Sequence, residues 1–384
     1  MSDKPQSDVK LDFLRKILKT YTPSGQESKL SGFYRDFLKK NGFNVHASSI
    51  GNVIGVKGSG SPVLLMASHL DTVPPELPFV EDDLNIYARG AVDCKSAWSS
   101  MLYSAAKFDW EGLFEETGGT GTIIILGVVE EEISTRGIKA FFRQNYKPDY
   151  IIFGEPTKNN RICYAYRGRI WFKADMVASR GHASSAWNYL NPIHPMLTFW
   201  NLVRGLGRNY EKPIKDNEKK HFHETTITLT QIHAGDLGNS TPERCSIAVD
   251  IRIPSETSIK SIVKSINDYK NQIENEYGKK VALEFKSKIP AVVTNPNNPL
   301  VSALRWSIFK TTREKAILLK KTGTTFMNII YDHYKVPTVV YGPGDPKLEH
   351  SEKEFISKEE YLESINIYDR FFPKLFKMAS RKRK

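Results

Sequence analysis

Cysteine is scarce in this chain, with three among 384 residues: Cys94, Cys163 and Cys245. They lie far apart and form no CxxC pair. This spacing excludes a disulfide framework and is typical of proteins in a reducing compartment. We therefore expect three small buried thiols and a cytoplasmic location.

Long apolar runs are also lacking. The longest lies around Ile123–Val129 and is strand-sized, whereas a membrane-spanning helix needs about 20 apolar residues. The first ten residues, MSDKPQSDVK, carry no apolar stretch of the secretory-signal type. We find no internal repeat and no low-complexity segment before the C-terminal tail. A membrane partner is therefore not expected.

The charge is unbalanced toward basic residues. Lys and Arg number 55 against 43 Asp and Glu, a net charge of +12. Part of it is the tail Arg381–Lys384, and the segment Lys212–Lys220 is locally dense in lysine. Such an excess attracts nucleic acid, anionic membranes or acidic proteins, or marks only a solvated surface. Because the sequence has no nucleic-acid motif and no aromatic–basic strip, we expect no nucleic-acid partner.

Hydrophobic residues make up 40% of the chain, enough for a packed core. Strand-like and helical segments alternate up to about residue 166 and again after Pro290, which predicts an α/β domain with a helix-covered sheet. Between them, strands at 225–232 and 245–253 and helices at 192–206 and 259–274 predict a compact α+β unit. We therefore expect a discontinuous catalytic domain, 1–166 and 290–384, with an inserted domain, 167–289.

The strongest local signal follows an apolar strand, in Ser68-His69-Leu70-Asp71. Side chains two apart at a strand end point the same way, so His69 could bind a metal while Asp71 holds its other ring nitrogen. A capping pair at a strand–loop junction is the alternative. Asp93, at a turn that opens a helix, could be an N-cap or a carboxylate shared by two metals.

Further acids follow other strands. Glu130, Glu131 and Glu132 come directly after a buried strand, and Glu155 follows another. Like charges at a strand end are costly unless cations compensate them, although an exposed acidic turn is the alternative. His350 lies in a turn-rich loop near the C-terminus.

These residues form one constellation, because open α/β folds place their sites at the carboxyl ends of strands. Imidazole mixed with carboxylate suits zinc, cobalt or manganese. Two such metals would share a water, lower its pKa and polarise a carbonyl, while an uncoordinated acid moves the proton.

On these motifs the chain resembles the co-catalytic zinc hydrolases that include acetylornithine deacetylase, succinyl-diaminopimelate desuccinylase and aminoacylase. The likeness runs from YTPSGQES to EHSEKEFIS. It implies an α/β zinc-hydrolase domain carrying an inserted ferredoxin-like α+β lid and dimerisation domain, and two zinc ions, with cobalt as an alternative. The implied metal ligands are His69, Asp93, Glu132, Glu155 and His350. Asp71 would orient His69, and Glu131 would be the general base.

The resemblance also assigns residues to the inserted domain. His182, in SRGHAS, would reach the site of a partner subunit and stabilise the oxyanion, which implies a homodimer. The implied substrate-binding residues are Arg167, Asn239, Arg252, Gly323 and Thr324. Without the resemblance, His182 would be interpreted as a surface loop residue, and the HFHE stretch at 221–224 as an exposed histidine pair.

Within the family, the chain resembles the lysine-biosynthesis branch, through stretches such as ASHLDTVP, ARGAVDCK and KTGTTFMNI. Those enzymes release lysine or ornithine from an acidic amino-group carrier protein, which would explain the basic charge. Phe326 departs from the branch, which usually has Asp in that slot. Deacetylation of acetylornithine, desuccinylation and dipeptide cleavage are the alternatives, and a binding protein that has lost catalysis is a further one.

Overall fold

The computed structural model describes residues 5–118, 120–210 and 218–381. It divides into two compact units: Met1–Tyr164 with Thr294–Leu319 and Ile330–Lys384, and Ala165–Val293 with Lys320–Ile329. The second unit contains the predicted inserted domain and, in addition, the segment 320–329, which the sequence had assigned to the catalytic domain. Residues 382–384 of the basic tail and most of Lys212–Lys220 lie outside the described residues.

The first segment of the chain contains five helices and eight strands among its described residues. They are α1 Gln6–Leu18, α2 Ser28–Lys40, β1 Asn44–Ala47, β2 Val53–Ser59, β3 Val63–His69, β4 Val80–Glu81, β5 Asn85–Tyr87, α3 Lys95–Lys107, α4 Trp110–Glu116, β6 Gly121–Val128, α5 Arg136–Phe142, β7 Tyr150–Gly154 and β8 Arg161–Tyr166.

The middle segment follows with β9 Gly168–Val177, β10 Gly181–His182, a 3-10 helix at Ala183–Asn188, α6 Ile193–Arg204, α7 Glu218–His221, β11 Thr226–Ala234, β12 Ser240–Thr241, β13 Arg244–Ile253, α8 Ile259–Tyr277, β14 Val281–Ile289 and β15 Val292–Val293. The final segment adds α9 Pro299–Thr312, β16 Ile317–Lys321, α10 Phe326–Tyr334, β17 Thr338–Val340, a 3-10 helix at Pro346–Leu348, β18 Phe355–Ser357 and α11 Lys358–Arg381.

The first unit is built on a sheet in the order β1–β2–β6–β3–β7–β17–β8. Strands β3, β6, β7 and β17 are parallel neighbours. Every residue of β6 is buried, as expected for a parallel strand covered on both faces. In the register, His69 lies opposite Val128 and Ser68 opposite Gly154. The carboxyl ends of β3, β6 and β7 therefore meet at one edge, where the candidate site lies.

The second unit contains a four-stranded antiparallel sheet in the order β11–β13–β9–β14. The chain order β9–α6–β11–β13–α8–β14 makes it ferredoxin-like. Alternate residues of β9 are buried, and the residues of that face pack with α6 and α8 in one core. This confirms the α+β fold that the sequence predicted.

The first residue of α4, Trp110, is fully buried, and its ring centroid lies 4.7 Å from that of Phe372 and 5.6 Å from that of Phe376 in α11. Helix α4 is thus part of the core of the first unit. Among the described residues, no helix combines the length and apolarity that crossing a membrane requires.

Candidate active site

His69 ends β3 and is almost fully buried. Its Nε2 lies 3.0 Å from Asp93 Oδ1 and 3.9 Å from Glu155 Oε2. Its Nδ1 lies 2.9 Å from the backbone oxygen of Asp71 and 3.5 Å from that residue's carboxylate. The peptide carbonyl of Asp71 is therefore the nearer partner of the ring, and the carboxylate that the sequence predicted lies beside it.

The Asp71 carboxylate is buried and holds a different part of the site. It accepts hydrogen bonds from the backbone N–H of Glu131 at 3.0 Å and of Glu132 at 3.1 Å, and from Ser24 Oγ at 2.6 Å. These contacts join the ends of β3 and β6. Burial raises the pKa of Asp71, but His69 above all, with Ser24 and the N–H of Glu132, lowers it below its usual value.

Asp93 lies in the loop that precedes α3, which begins at Lys95. The loop is held by Glu354, a buried residue that sequence reasoning missed. Its carboxylate accepts from the backbone N–H groups of Gly90, Val92 and Asp93 at 2.8–3.1 Å and from Arg89 Nη1 at 3.0 Å. The carboxylate of Glu354 thus holds these backbone N–H groups in a loop conformation. The only available sequence signal was a Glu four residues after His350.

His350 adopts a left-handed backbone conformation, with φ of 59°. Such a conformation is uncommon for a residue other than glycine and is frequent at functional sites. Its Nε2 lies 3.0 Å from Asp93 Oδ2 and 3.3 Å from Glu132 Oε1. The two oxygens of Asp93 thus face two different imidazoles.

Carboxylates outnumber imidazoles in this site. Burial is the main cause that raises the pKa of Glu155 well above its usual value, with Asp93 and Glu131 adding to it. Burial also raises the pKa of Glu131, again with neighbouring carboxylates contributing. Acids packed this closely need cations to compensate them.

The residues present fit a two-metal centre. Ligand atoms lie within 4.8 Å of one another in two groups, His69–Asp93–Cys94–Glu155 and Asp93–Glu132–His350, which share Asp93. Cys94 is the unexpected member. Burial raises the pKa of its thiol to about 12, and its Sγ lies 2.9 Å from Ser68 Oγ. The imidazole nitrogens and carboxylate oxygens of the other members are donors that suit zinc.

In the second unit, Arg167, Arg252 and Thr324 lie together. Arg167 is buried, and its guanidinium donates to the backbone oxygens of Thr322, His221 and Glu224 at 3.0–3.1 Å. Arg252 Nη1 lies 3.2 Å from Thr324 Oγ1, and Thr324 donates to the backbone oxygen of Arg167 at 3.0 Å. Arg167 therefore holds the loop together, and its predicted contact with substrate stays a prediction. Gly323 lies in the same loop, where an added Cβ would meet no atom within 4 Å.

His182 and Asn239 are neighbours in the second unit. β10 pairs with β12, and the backbone oxygen of Asn239 accepts from Ala183 N–H at 2.8 Å. His182 is exposed, and its Nδ1 accepts from the backbone N–H of Ser184 at 3.1 Å. The HFHE pair does not converge: His221 Nδ1 lies 3.1 Å from Glu224, and His223 Nδ1 lies 3.3 Å from Glu256.

The described residues thus bring His69, Asp93, Glu132, Glu155 and His350 into one cluster in the first unit. The pattern of peptidase family M20/M25/M40 matches residues 65–374, which contain all five. The chain belongs to this family. It is accordingly a metal-dependent hydrolase acting on amide bonds.

Similar proteins cover nearly the whole chain. The LysW-lysine hydrolase of Deinococcus radiodurans is 26% identical over 372 residues, 96% of this chain and 97% of that protein. The LysW-lysine/LysW-ornithine hydrolase of Saccharolobus solfataricus is 29% identical over 358 residues, 93% of each chain. Among solved structures, an M20 family metallo-carboxypeptidase from Sulfolobus solfataricus matches with a TM-score of 0.76 at 17% identity, covering 96% of this chain and 99% of that one. The last match shows the fold alone.

Proposed function

We propose that the two ligand groups hold two zinc ions, with His69 and Glu155 on one, Glu132 and His350 on the other, and Asp93 shared between them. The observation that carries this proposal is the position of Asp93, whose two oxygens each lie 3.0 Å from a different imidazole. Nitrogen and oxygen donors of this kind suit zinc, and also cobalt.

A pair of zinc ions held here would supply Lewis-acid polarisation of the scissile carbonyl and would lower the pKa of a water. Glu131 serves as the general base: it takes a proton from the attacking water and later delivers it to the leaving amine. Its backbone is fixed by Asp71, and Asp71 also orients His69. His182, from a second copy of the chain in a homodimer, stabilises the oxyanion.

The proposed substrate is lysine or ornithine linked to an acidic amino-group carrier protein. The bond cut joins the γ-carboxyl of the carrier's terminal glutamate to the α-amino group of the amino acid. The names of the relatives support this choice. The charge supports it too: the second unit has 21 Lys and Arg against 13 Asp and Glu. The three cysteines are buried and form no disulfide, which favours action in the cytoplasm.

A small free substrate is the second candidate, favoured by Phe326. This side chain is buried, at 3% exposure, in the slot where the lysine branch usually has Asp. If that Asp recognises the ammonium of the released amino acid, the present chain lacks it. Acetylornithine, succinyl-diaminopimelate and dipeptides are the substrates in this class.

The test is amino-acid release by zinc-loaded protein from carrier-linked lysine and ornithine, side by side with the three small substrates. We expect kcat/KM to be highest for a carrier conjugate. Preference for acetylornithine, succinyl-diaminopimelate or a dipeptide would overturn the carrier assignment and leave the metal-dependent chemistry intact.

A further inference from the structure

The segment 22–27 lies within the YTPSGQES motif, in the connection between α1 and α2, and most of it has no role in the chemistry proposed above. It packs against the chain that follows β3. Thr22 Oγ1 donates to the backbone oxygen of Leu70 at 2.8 Å, and Ser24 Oγ donates to the Asp71 carboxylate at 2.6 Å. The connection therefore lies directly beside the candidate site.

Glu27 is the last residue of this connection and is 4% exposed. Its Oε1 accepts a hydrogen bond from the backbone N–H of Gly25 at 3.1 Å. The same oxygen accepts from the backbone N–H of Glu130 at 3.0 Å, 103 positions later in the chain. The carboxylate of Glu27 thus joins the start of α2 to the loop that follows β6.

That loop is held by side chains from outside it. Residues 129–132 belong to no helix or strand, and their four consecutive backbone N–H groups donate to side-chain oxygens at 3.0–3.1 Å. The acceptors, in order, are Asn52, Glu27 and, for the last two N–H groups, Asp71. Because the loop has no ladder or helical hydrogen bonds for these groups, its course depends on the three acceptors.

Glu130 has an unusual backbone within this loop. Its φ is 58°, a left-handed conformation that is uncommon for residues other than glycine and persists where the surroundings hold it. Its carboxylate is also held, by Ser134 Oγ at 2.9 Å and Arg136 Nη1 at 3.1 Å. Rotation about the N–Cα bond of Glu130 would turn the residues that follow, so the direction of Glu131 depends on this conformation.

We propose that Glu27 is a positioning residue for Glu131. By accepting the N–H of Glu130, it keeps Glu130 in the left-handed conformation and so directs the next side chain toward the metal-binding cluster. The inference rests on the proposed function, in which Glu131 is the general base. Such positioning matters because a displacement of about 1 Å in a reacting group can lower a rate about 100-fold.

The experiment measures kcat, KM and zinc content of zinc-loaded variants with carrier-linked lysine and with acetylornithine. Glu27→Ala removes the acceptor of the Glu130 N–H. We expect kcat to fall about 10–100-fold on whichever substrate the natural chain hydrolyses faster, while KM changes less than about twofold. Zinc should stay at two ions per chain, because Asp71 still accepts from the N–H of Glu132.

Glu27→Gln is the conservative variant. Both backbone N–H groups donate to one oxygen of Glu27, so the amide oxygen of a glutamine can accept both. We therefore expect kcat within about threefold of the natural chain. Equal losses of kcat in the Gln and Ala variants would overturn the inference, because the negative charge of Glu27, and not its acceptor, would then be what matters.

Leu30→Ala is the matched control for stability. Leu30 lies in α2, is 2% exposed and packs in the apolar core of the first unit. Its truncation should lower the thermal unfolding temperature without touching the loop, and kcat of the folded protein should be unchanged. If Leu30→Ala loses as much kcat as Glu27→Ala, the effect is one of stability and the inference is wrong.

Glu131→Gln separates the inference from the proposed function. A loss of kcat in Glu131→Gln with none in Glu27→Ala would overturn the positioning role alone. Full activity of Glu131→Gln would overturn the proposed base, and the inference with it. Loss of zinc from Glu27→Ala would also contradict the inference, because Glu27 would then support the ligand Glu132 and not the base.

Discussion

At the residue scale, Asp71 shows how a carboxylate outside the proposed ligand set can organise a metal site. It receives the backbone N–H groups of Glu131 and Glu132 and the hydroxyl of Ser24. The proposed base and a proposed ligand are therefore fixed by the same side chain. Outer groups of this kind typically change metal affinity or activity 10–100-fold when removed.

The general base is tested by Glu131→Gln. The amide keeps the size of the side chain but cannot take a proton, so we expect kcat to fall about 10²–10⁴-fold or more. Zinc content, measured by mass spectrometry, should stay at two per chain. Loss of zinc together with activity would mean that Glu131 is a metal ligand. The separate roles proposed for Glu131 and Glu132 would then be wrong.

Glu354 is tested by Glu354→Gln. The amide keeps one acceptor oxygen, so its NH2 would face the N–H groups either of Val92 and Asp93 or of Gly90 and Arg89. In both orientations Arg89 loses its buried charged partner, 3.0 Å away. We expect a loss of about 3–5 kcal/mol in the free energy of unfolding. Zinc affinity should also fall, because Asp93 loses the acceptor of its N–H.

Chemical denaturation and zinc titration measure the two effects. Glu352→Gln is the control, since Glu352 is exposed on the same loop. If Glu354→Gln and the control unfold alike, the loop is held by something other than this carboxylate.

At the element scale, α4 buries Trp110, Leu113 and Phe114, and Trp110 is the largest of the three. The rings of Phe108, Phe372 and Phe376 surround Trp110, with centroids 4.7–5.6 Å away, and its Nε1 donates to the backbone oxygen of Ala105 at 2.7 Å. Trp110→Ala should therefore lower the free energy of unfolding by about 3–5 kcal/mol. Glu111→Ala is the control: Glu111 is 82% exposed and its ion pair with Lys57 should contribute about 0–1 kcal/mol. Equal stabilities would contradict this packing role.

Three elements of the first unit meet at Glu81. The carboxylate of this β4 residue accepts from Arg15 of α1 at 2.7 Å and lies 2.7 Å from Lys358 of α11. The Arg15 hydrogen bond is the main cause that lowers the pKa of Glu81 to about 2. Because the folded-state pKa is lowered, the stabilisation is complete above about pH 4.5, the usual value, and is lost as the pH falls toward 2.

Glu81→Gln should therefore destabilise the protein by about 1–2 kcal/mol at pH 7, a value reduced for partial exposure. The difference from the natural chain should disappear near pH 2. Urea unfolding across this pH range is the measurement, with the exposed Asp83→Asn as control. A difference that does not change with pH would exclude ionisation of Glu81 as its cause.

At the scale of the whole molecule, the net charge is unevenly distributed. The second unit accounts for 21 of the 55 basic residues but only 13 of the 43 acidic ones. If an acidic carrier is steered by this charge, kcat/KM for the conjugate should fall about tenfold between low and high salt. The value for a small acyl-amino acid should change little. Equal salt dependence for both substrates would remove the steering argument.

Much of the site could be predicted from the sequence, because its ligands follow strands whose parallel pairing brings their ends together. His69 and Glu155 each come directly after an apolar run, and Glu131 and Glu132 follow shortly after another. The ferredoxin-like order of the second unit was likewise indicated by its alternating strands and helices.

Other features depend on contacts between residues far apart in the sequence. Glu354 accepts hydrogen bonds from the Asp93 loop, more than 260 positions earlier in the chain. Arg167 donates to the backbone oxygen of Thr322, in a loop far along the chain. The thiol of Cys94 lies near the candidate ligands His69 and Glu155. Residue type and local periodicity decide which groups lie at strand ends. Which carboxylate holds a backbone loop was decided only by tertiary packing, because buried N–H groups donate to any acceptor that the fold brings within reach.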